Sequence, residues 1–143
     1  MLDKILKKIV FSIIKWISII ILGISFYISV YGMDFLNLPK VDNIQAVSII
    51  YPEMEDKIVR VNSTEDIKLI LKITRFLKYR IFQKAKGNEQ PLITVVYHLK
   101  NGKTERISAN ETTVWWKGKK YILKDKEIFV NITRGLFFSN SIK

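Results

Sequence analysis

The only histidine in the chain, His98, lies in "YHLKNGKTERIS", where Asn101-Gly102 between two β-rich runs signals a two-residue hairpin turn. With Lys100 opposite Lys103, that register sets His98 across from Glu105, Val96 across from Ile107 and Tyr97 across from Arg106. An imidazole beside a carboxylate is half of a proton-transfer pair. A site built on it would have to recruit distant carboxylates such as Glu111 or Asp125. The absence of cysteine removes thiol nucleophiles, disulfides, zinc thiolates and a lipid-modified anchor. "PEMED" offers Glu53, Glu55 and Asp56 to a cation, but with no glycine and no full set of oxygen ligands it reads as a solvated acidic turn. There is no Gly-rich phosphate loop, metal-ligand spacing or nucleophile motif, so no catalytic residue, metal ligand or cofactor is assigned.

Recognition is the other chemistry on offer. In "TTVWWKGKKYILK" the adjacent tryptophans cannot share one face of a strand. With the turn at Lys117-Gly118, Val114, Trp116, Tyr121 and Leu123 form the more apolar face, and Trp115 lies with Thr113, Lys117, Lys120, Ile122 and Lys124. Trp115, Lys117, Lys120 and Lys124 are therefore the candidate partner-binding residues, able to stack on a flat group and meet anions. The same cluster would also arise from a tryptophan covered by lysine stems or by a helix.

The elements that place these residues begin with an anchor. Eighteen residues without formal charge separate Lys15 from Asp34, and adding Ile9–Ile14 gives a run long enough for a hydrocarbon layer of about 30 Å. Lys15 snorkels, Trp16 lies beside it, and Tyr27 and Tyr31 sit where an anchor keeps aromatics. A cleaved signal peptide needs small residues just before the cut, whereas the exit "YISVYGMD" places Tyr27 and Tyr31 near the boundary, which favours retention over removal. Lys4, Lys7, Lys8 and Lys15 precede the span and only Lys40 closely follows it, so the N-terminus is expected in the cytoplasm. The expected organisation is a basic cytoplasmic N-terminus (1–8), a single-pass transmembrane helix (9–33), a short linker (34–43) and an extracytoplasmic domain (44–143).

That domain reads as α+β, in the order β-β-α-β-β-β-β-α, with a mainly antiparallel sheet covered by helices. Strands are expected at Ile44–Tyr51 and Lys57–Val61. A helix follows, capped by Ser63 with Asp66 and carrying Ile67, Ile70, Leu71, Leu77 and Ile81 at spacings of three and four. Arg75, Lys78, Arg80, Lys84 and Lys86 crowd its C-terminal end, where the helix dipole favours cations. After the two hairpins a short helix begun by Asp125 is expected to turn Ile128, Phe129, Ile132 and Leu136 inward. The net charge of +11 divides into +3 for residues 1–33 (four Lys against one Asp) and +8 for the remainder (20 basic against 12 acidic residues). An anionic partner fits that balance, as does a compositional bias that supplies 19 Lys against 5 Arg. Three N-x-S/T triplets, at Asn62, Asn110 and Asn131, matter only in a glycosylating pathway.

The anchor "KKIVFSIIKWISIIILGISFYISV", the passage "KIVRVNSTEDIKLILKI" and the late "YHLKNGK" and "KGKKYIL" resemble a loose class of small single-pass, membrane-anchored extracytoplasmic proteins of Gram-positive bacteria. The resemblance is architectural and implies an outward α+β domain with no assigned reaction, so no functional residues carry over. The leading expectation is a non-enzymatic membrane protein whose basic domain binds an envelope protein, an anionic polymer or a peptide, in a role such as bacteriocin immunity or transport accessory. The alternative is an envelope hydrolase or transferase assembled from His98, Glu105 and the distant carboxylates. The lipid bilayer is a partner in either case, and nucleic acid is not expected.

Overall fold

The computed structural model describes residues 1–35, 37–53, 58–81, 83–85 and 87–138. The chain opens with helix α1 (Leu2–Tyr31), 30 residues without a buried side chain. Its charged residues gather in the first turns, and from Ile9 to Tyr31 Lys15 is the one charged side chain, which leaves that stretch no polar stripe for water. It is long and apolar enough to cross a membrane.

The strands are β1 (Met33–Asp34), β2 (Ile44–Ile50), β3 (Ile58–Val61), β4 (Lys78–Arg80), β5 (Ile93–Leu99), β6 (Thr104–Ala109), β7 (Thr113–Trp116) and β8 (Lys119–Leu123). Helix α2 (Thr64–Phe76) lies between β3 and β4, and α3 (Ile128–Phe137) follows β8. All eight strands form one sheet, ordered β1-β4-β8-β7-β6-β5-β2-β3, with every pairing antiparallel. The fold is the α+β arrangement expected, with two strands more than the sequence announces.

One face of the sheet is the core. Val47 and Ile49 of β2, Val95 and Tyr97 of β5, Ile107 of β6 and Val114 of β7 are fully buried there. Helix α2 covers it with Ile67, Ile70, Leu71 and Ile73. At its start Ser63 Oγ accepts from the Asp66 N–H (3.1 Å) and donates to the Asp66 carboxylate (2.6 Å), so the expected cap is present. The Thr74 hydroxyl donates to the Ile70 carbonyl (2.9 Å), which leaves the Tyr97 O–H to donate to Thr74 Oγ1 (2.6 Å). Burial pushes the Tyr97 phenol far above its ordinary range and keeps it neutral.

Four local readings of the sequence differ from the structure. Helix α2 stops at Phe76, because Leu77 is extended and β4 then alternates, with Tyr79 turned into the core between Lys78 and Arg80. Leu77 and Ile81 are therefore not helical, and Lys78 and Arg80 belong to a strand rather than to a helix terminus; Lys86 lies outside the described residues. In the segment 34–43, expected as a linker, the described residues Asp34, Phe35, Leu38 and Val41 pair or pack with the domain. Phe35 is 7% exposed and packs against Tyr79 (4.8 Å between centroids) and edge-on to Trp116 (5.8 Å), while Leu38 and Val41 rest on the core.

Helix α3 begins after Glu127 rather than at Asp125, and it buries Phe129, Val130 and Thr133. Ile128, Ile132 and Leu136 face out. A threonine can occupy the inner row because its hydroxyl donates to the Phe129 carbonyl (2.7 Å). Last, the β5–β6 register is slipped by one residue, so that His98 faces Thr104, Tyr97 faces Glu105 and Val95 faces Ile107. The expected pairing would have put Arg106 and Ser108 on the core face and Ile107 outside, and burial of Ile107 and Ala109 decides against it. The loop adapts: Gly102 alone takes positive φ (80°) and its N–H donates to the Leu99 carbonyl, giving a three-residue connection instead of the two-residue turn.

Candidate functional site

Neither helix covers the second face of the sheet. Thr94, Val96 and His98 of β5, Arg106 and Ser108 of β6, Trp115 of β7 and Lys120 of β8 point there by strand alternation. Trp115 is partly exposed between Ser108 and Lys120, its two cross-strand partners, and Lys120 Nζ stands 5.8 Å from its ring centroid. Trp116 points into the core at 7% exposure. The turn that joins β7 to β8 is the two-residue one expected at Lys117-Gly118, with φ of 47° and 76°.

Because the β7–β8 hairpin turns at Lys117, the first residues of β6 pair with β5 but have no neighbour on the β7 side. A cavity of about 390 Å³ opens there, lined by Thr104, Glu105, Arg106, Ser108, Trp115, Trp116, Lys117 and Gly118. It combines an aromatic wall with two cations, Arg106 and Lys117, one carboxylate, Glu105, and two hydroxyls. Lys117 Nζ also lies 5.2 Å from the Trp116 ring centroid. Three of the four residues singled out for partner binding, Trp115, Lys117 and Lys120, are thus neighbours. Lys124 shares their face but lies four residues further along β8, about 13 Å away, with its ammonium 5.6 Å from the Tyr31 ring of α1. Lys15, Trp16, Tyr27 and Tyr31, read from the sequence as anchor residues, all lie on the exposed surface of α1, and the Tyr27 and Tyr31 rings are tilted with centroids 4.7 Å apart.

The segment between β4 and β5 borders this face. Glu89 Oε2 accepts from Asn110 Nδ2 (3.0 Å), Thr112 Oγ1 (3.1 Å) and Thr113 Oγ1 (3.0 Å). Those hydrogen bonds hold the Glu89 carboxyl below its ordinary range. Lys120 Nζ reaches the Gly87 carbonyl at 3.4 Å. A second cavity of about 510 Å³ lies between Glu89, Lys84, Lys126 and Ile122. The sequence shows half of this cluster, since "NETT" is an Asx turn in which Asn110 Oδ1 accepts from the N–H groups of Thr112 and Thr113. Its partner Glu89, 21 residues upstream, has no local signature. Arg106 was missed because the slipped register hid its face.

The residues of the alternative enzyme site do not converge. His98 shares a hydrogen bond with Ser48 Oγ (2.9 Å) on the uncovered face, while Glu105 takes the opposite, core-side register, where its Oε2 is buried without a hydrogen-bond partner. Glu111 and Asp125 are exposed in the connections on either side of the β7–β8 hairpin. Among the described residues no three His, Asp or Glu side chains gather as a metal site. Glu53 is exposed, and Glu55 and Asp56 lie outside the described residues. The Asn110 side chain, buried and engaged with Glu89, differs from the exposed Asn62 and Asn131. No family model, no curated protein and no solved structure matches this chain.

Proposed function

We propose that the protein is a single-pass membrane protein, held by α1 with its N-terminus in the cytoplasm, whose domain outside the membrane binds an anionic protein or polymer of the envelope without catalysing a reaction. The observation that carries this reading is Trp115, a partly exposed tryptophan on the helix-free face of the sheet, beside a cavity of about 390 Å³ and close to Arg106, Lys117 and Lys120. A flat aromatic among cations suits a partner that presents both apolar and anionic groups. The lysines ahead of the span favour the orientation, and the resemblance to anchored Gram-positive proteins favours the address.

The test replaces Trp115 by a photo-crosslinking phenylalanine in the full chain within its native membrane. A discrete adduct is expected at position 115, weakened by joint substitution of Arg106, Lys117 and Lys120 by Gln. Equal adduct formation from Leu69, exposed on the helical side, would overturn the assignment of the face. Protease added to wall-free cells is expected to trim the domain and spare the anchor, and full protection would reverse the orientation.

A further inference from the structure

A single residue, Gly32, separates α1 from β1, and β1 pairs with β4, Met33 opposite Tyr79 and Asp34 opposite Lys78. The end of the membrane-length helix is therefore fixed to one edge of the sheet. Ile28 and Ser29 near the end of α1 share the wall of a small cavity with Arg80 and Ile81, and Lys124 stands over Tyr31. Tyrosines at the end of an apolar span settle at the level of the lipid headgroups. What is level with Tyr27 and Tyr31 is level with the headgroups too.

Arg75, Lys78, Arg80 and Lys124 lie around that edge; Arg75 and Lys78 line a cavity of about 450 Å³ with Phe76 and Asp34. Lys78 is 3.8 Å from Asp34, and among the described residues this is the one ion pair, so the other three cations have no acidic partner there. Two large apolar side chains accompany them, Phe76 at 60% and Ile81 at 39% exposure. Cations alone would suit any phosphate. Cations with exposed apolar side chains, in continuity with a membrane helix, suit a surface that is anionic outside and hydrocarbon beneath.

We infer that Arg75, Lys78, Arg80 and Lys124 form a collar that binds the headgroups of anionic phospholipids, with Phe76 and Ile81 entering the acyl boundary, so that the sheet edge rests on the bilayer. This rests on α1 being a retained anchor. Each cation brought against an anionic surface strengthens association roughly five-fold. Lys78, Arg80 and Lys124 lie on the same face of the sheet as Trp115 but towards its α1 end, so the collar sets how the Trp115 cluster is presented.

The chain has no cysteine, so Ile81→Cys or Phe76→Cys introduces a single thiol for a fluorophore, and Ile58→Cys on β3 serves as the distant control. Ile58 lies six strand spacings from β4, about 29 Å across the sheet. The labelled full chain is placed in nanodiscs of phosphatidylcholine with or without phosphatidylglycerol, each carrying a headgroup quencher. Quenching at positions 81 and 76 is expected to exceed that at 58 by about three-fold or more, and to increase with phosphatidylglycerol. Changing the four cations to Gln is expected to abolish the increase. Equal quenching at all three positions, or indifference to phosphatidylglycerol, overturns the collar and leaves the anchor standing. Release of the label from the quencher by inorganic phosphate, but not by chloride of equal ionic strength, overturns the lipid assignment in favour of a free-phosphate site. A chain that fails to enter discs of either composition overturns the anchor and the collar together.

Discussion

Trp115 and Trp116 are adjacent and chemically identical, and their surroundings predict opposite consequences of removal. Trp116 packs edge-on to Phe35 inside the core, so Trp116→Ala is expected to cost about 3 to 5 kcal/mol. Trp115 touches solvent and a lysine stem, so Trp115→Ala is expected to stay within about 1 kcal/mol of the parent in denaturant unfolding, yet to lose most of the photo-crosslinked or co-purified partner. Equal unfolding penalties would remove Trp115 from the site. Glu89 yields a prediction in pH. Its folded carboxyl titrates below the unfolded value, so its contribution is present above the ordinary carboxylate pKa of about 4.3 and is lost as pH falls through the folded value. Hydrogen exchange of the segment before β5 is therefore expected to rise on acidification below about pH 4, and Glu89→Gln is expected to raise it already at pH 7. A Gln variant with parent-like protection would show that the three hydrogen bonds do not hold the segment.

At the scale of elements, the two hairpins explain what could be read in the sequence and what could not. Both carry an X-Gly pair, yet only Lys117-Gly118 forms the two-residue turn, although Asn101-Gly102 is the better signal for it. The loop around Asn101 yields because Ile107 and Ala109 must reach the core beside Val95 and Ile93, and the burial of several side chains outweighs the preference of one turn. The alternation in "TVWWKGKKYIL" has no such conflict, so the face of Trp115 was legible. Strand β4 was not, because Leu77 and Ile81 continue the helical spacing and only the distant strands β1 and β8 make it a strand. The Lys117 turn carries a further prediction. Lys117→Asn relieves about 1 kcal/mol of left-handed strain and forfeits about 0.5 kcal/mol of contact with Trp116, a net gain of about 0.5 kcal/mol. The variant is expected to unfold at slightly higher denaturant and to bind the partner less well; lower stability would show that the turn is unstrained.

The whole molecule is organised by the junction between a membrane-length helix and the edge of an antiparallel sheet. Charge asymmetry and apolar length announced the helix, but a linker was expected where the chain passes directly into β1. The reason is legible in retrospect at Phe35, whose partners Tyr79 and Trp116 are far away in sequence. Gly32 is the residue on which this coupling turns. Its φ of 75° with ψ of 178° belongs to a region essentially confined to glycine, and an added Cβ would lie 3.2 Å from Lys78 Cβ, 3.3 Å from Lys124 Cδ and 3.4 Å from the Tyr79 carbonyl oxygen. Gly32→Val must therefore either strain the backbone, by about 1 to 3 kcal/mol, or release β1 from β4. Release is the easier route, because β1 contributes only two residues and ends the sheet. The full chain in nanodiscs is accordingly expected to become cleavable between Tyr31 and Phe35 by a protease that leaves the parent intact, while the rest of the domain unfolds at nearly the parent denaturant concentration. Parent-like resistance together with parent-like stability of Gly32→Val would mean that helix and sheet are not coupled through this edge.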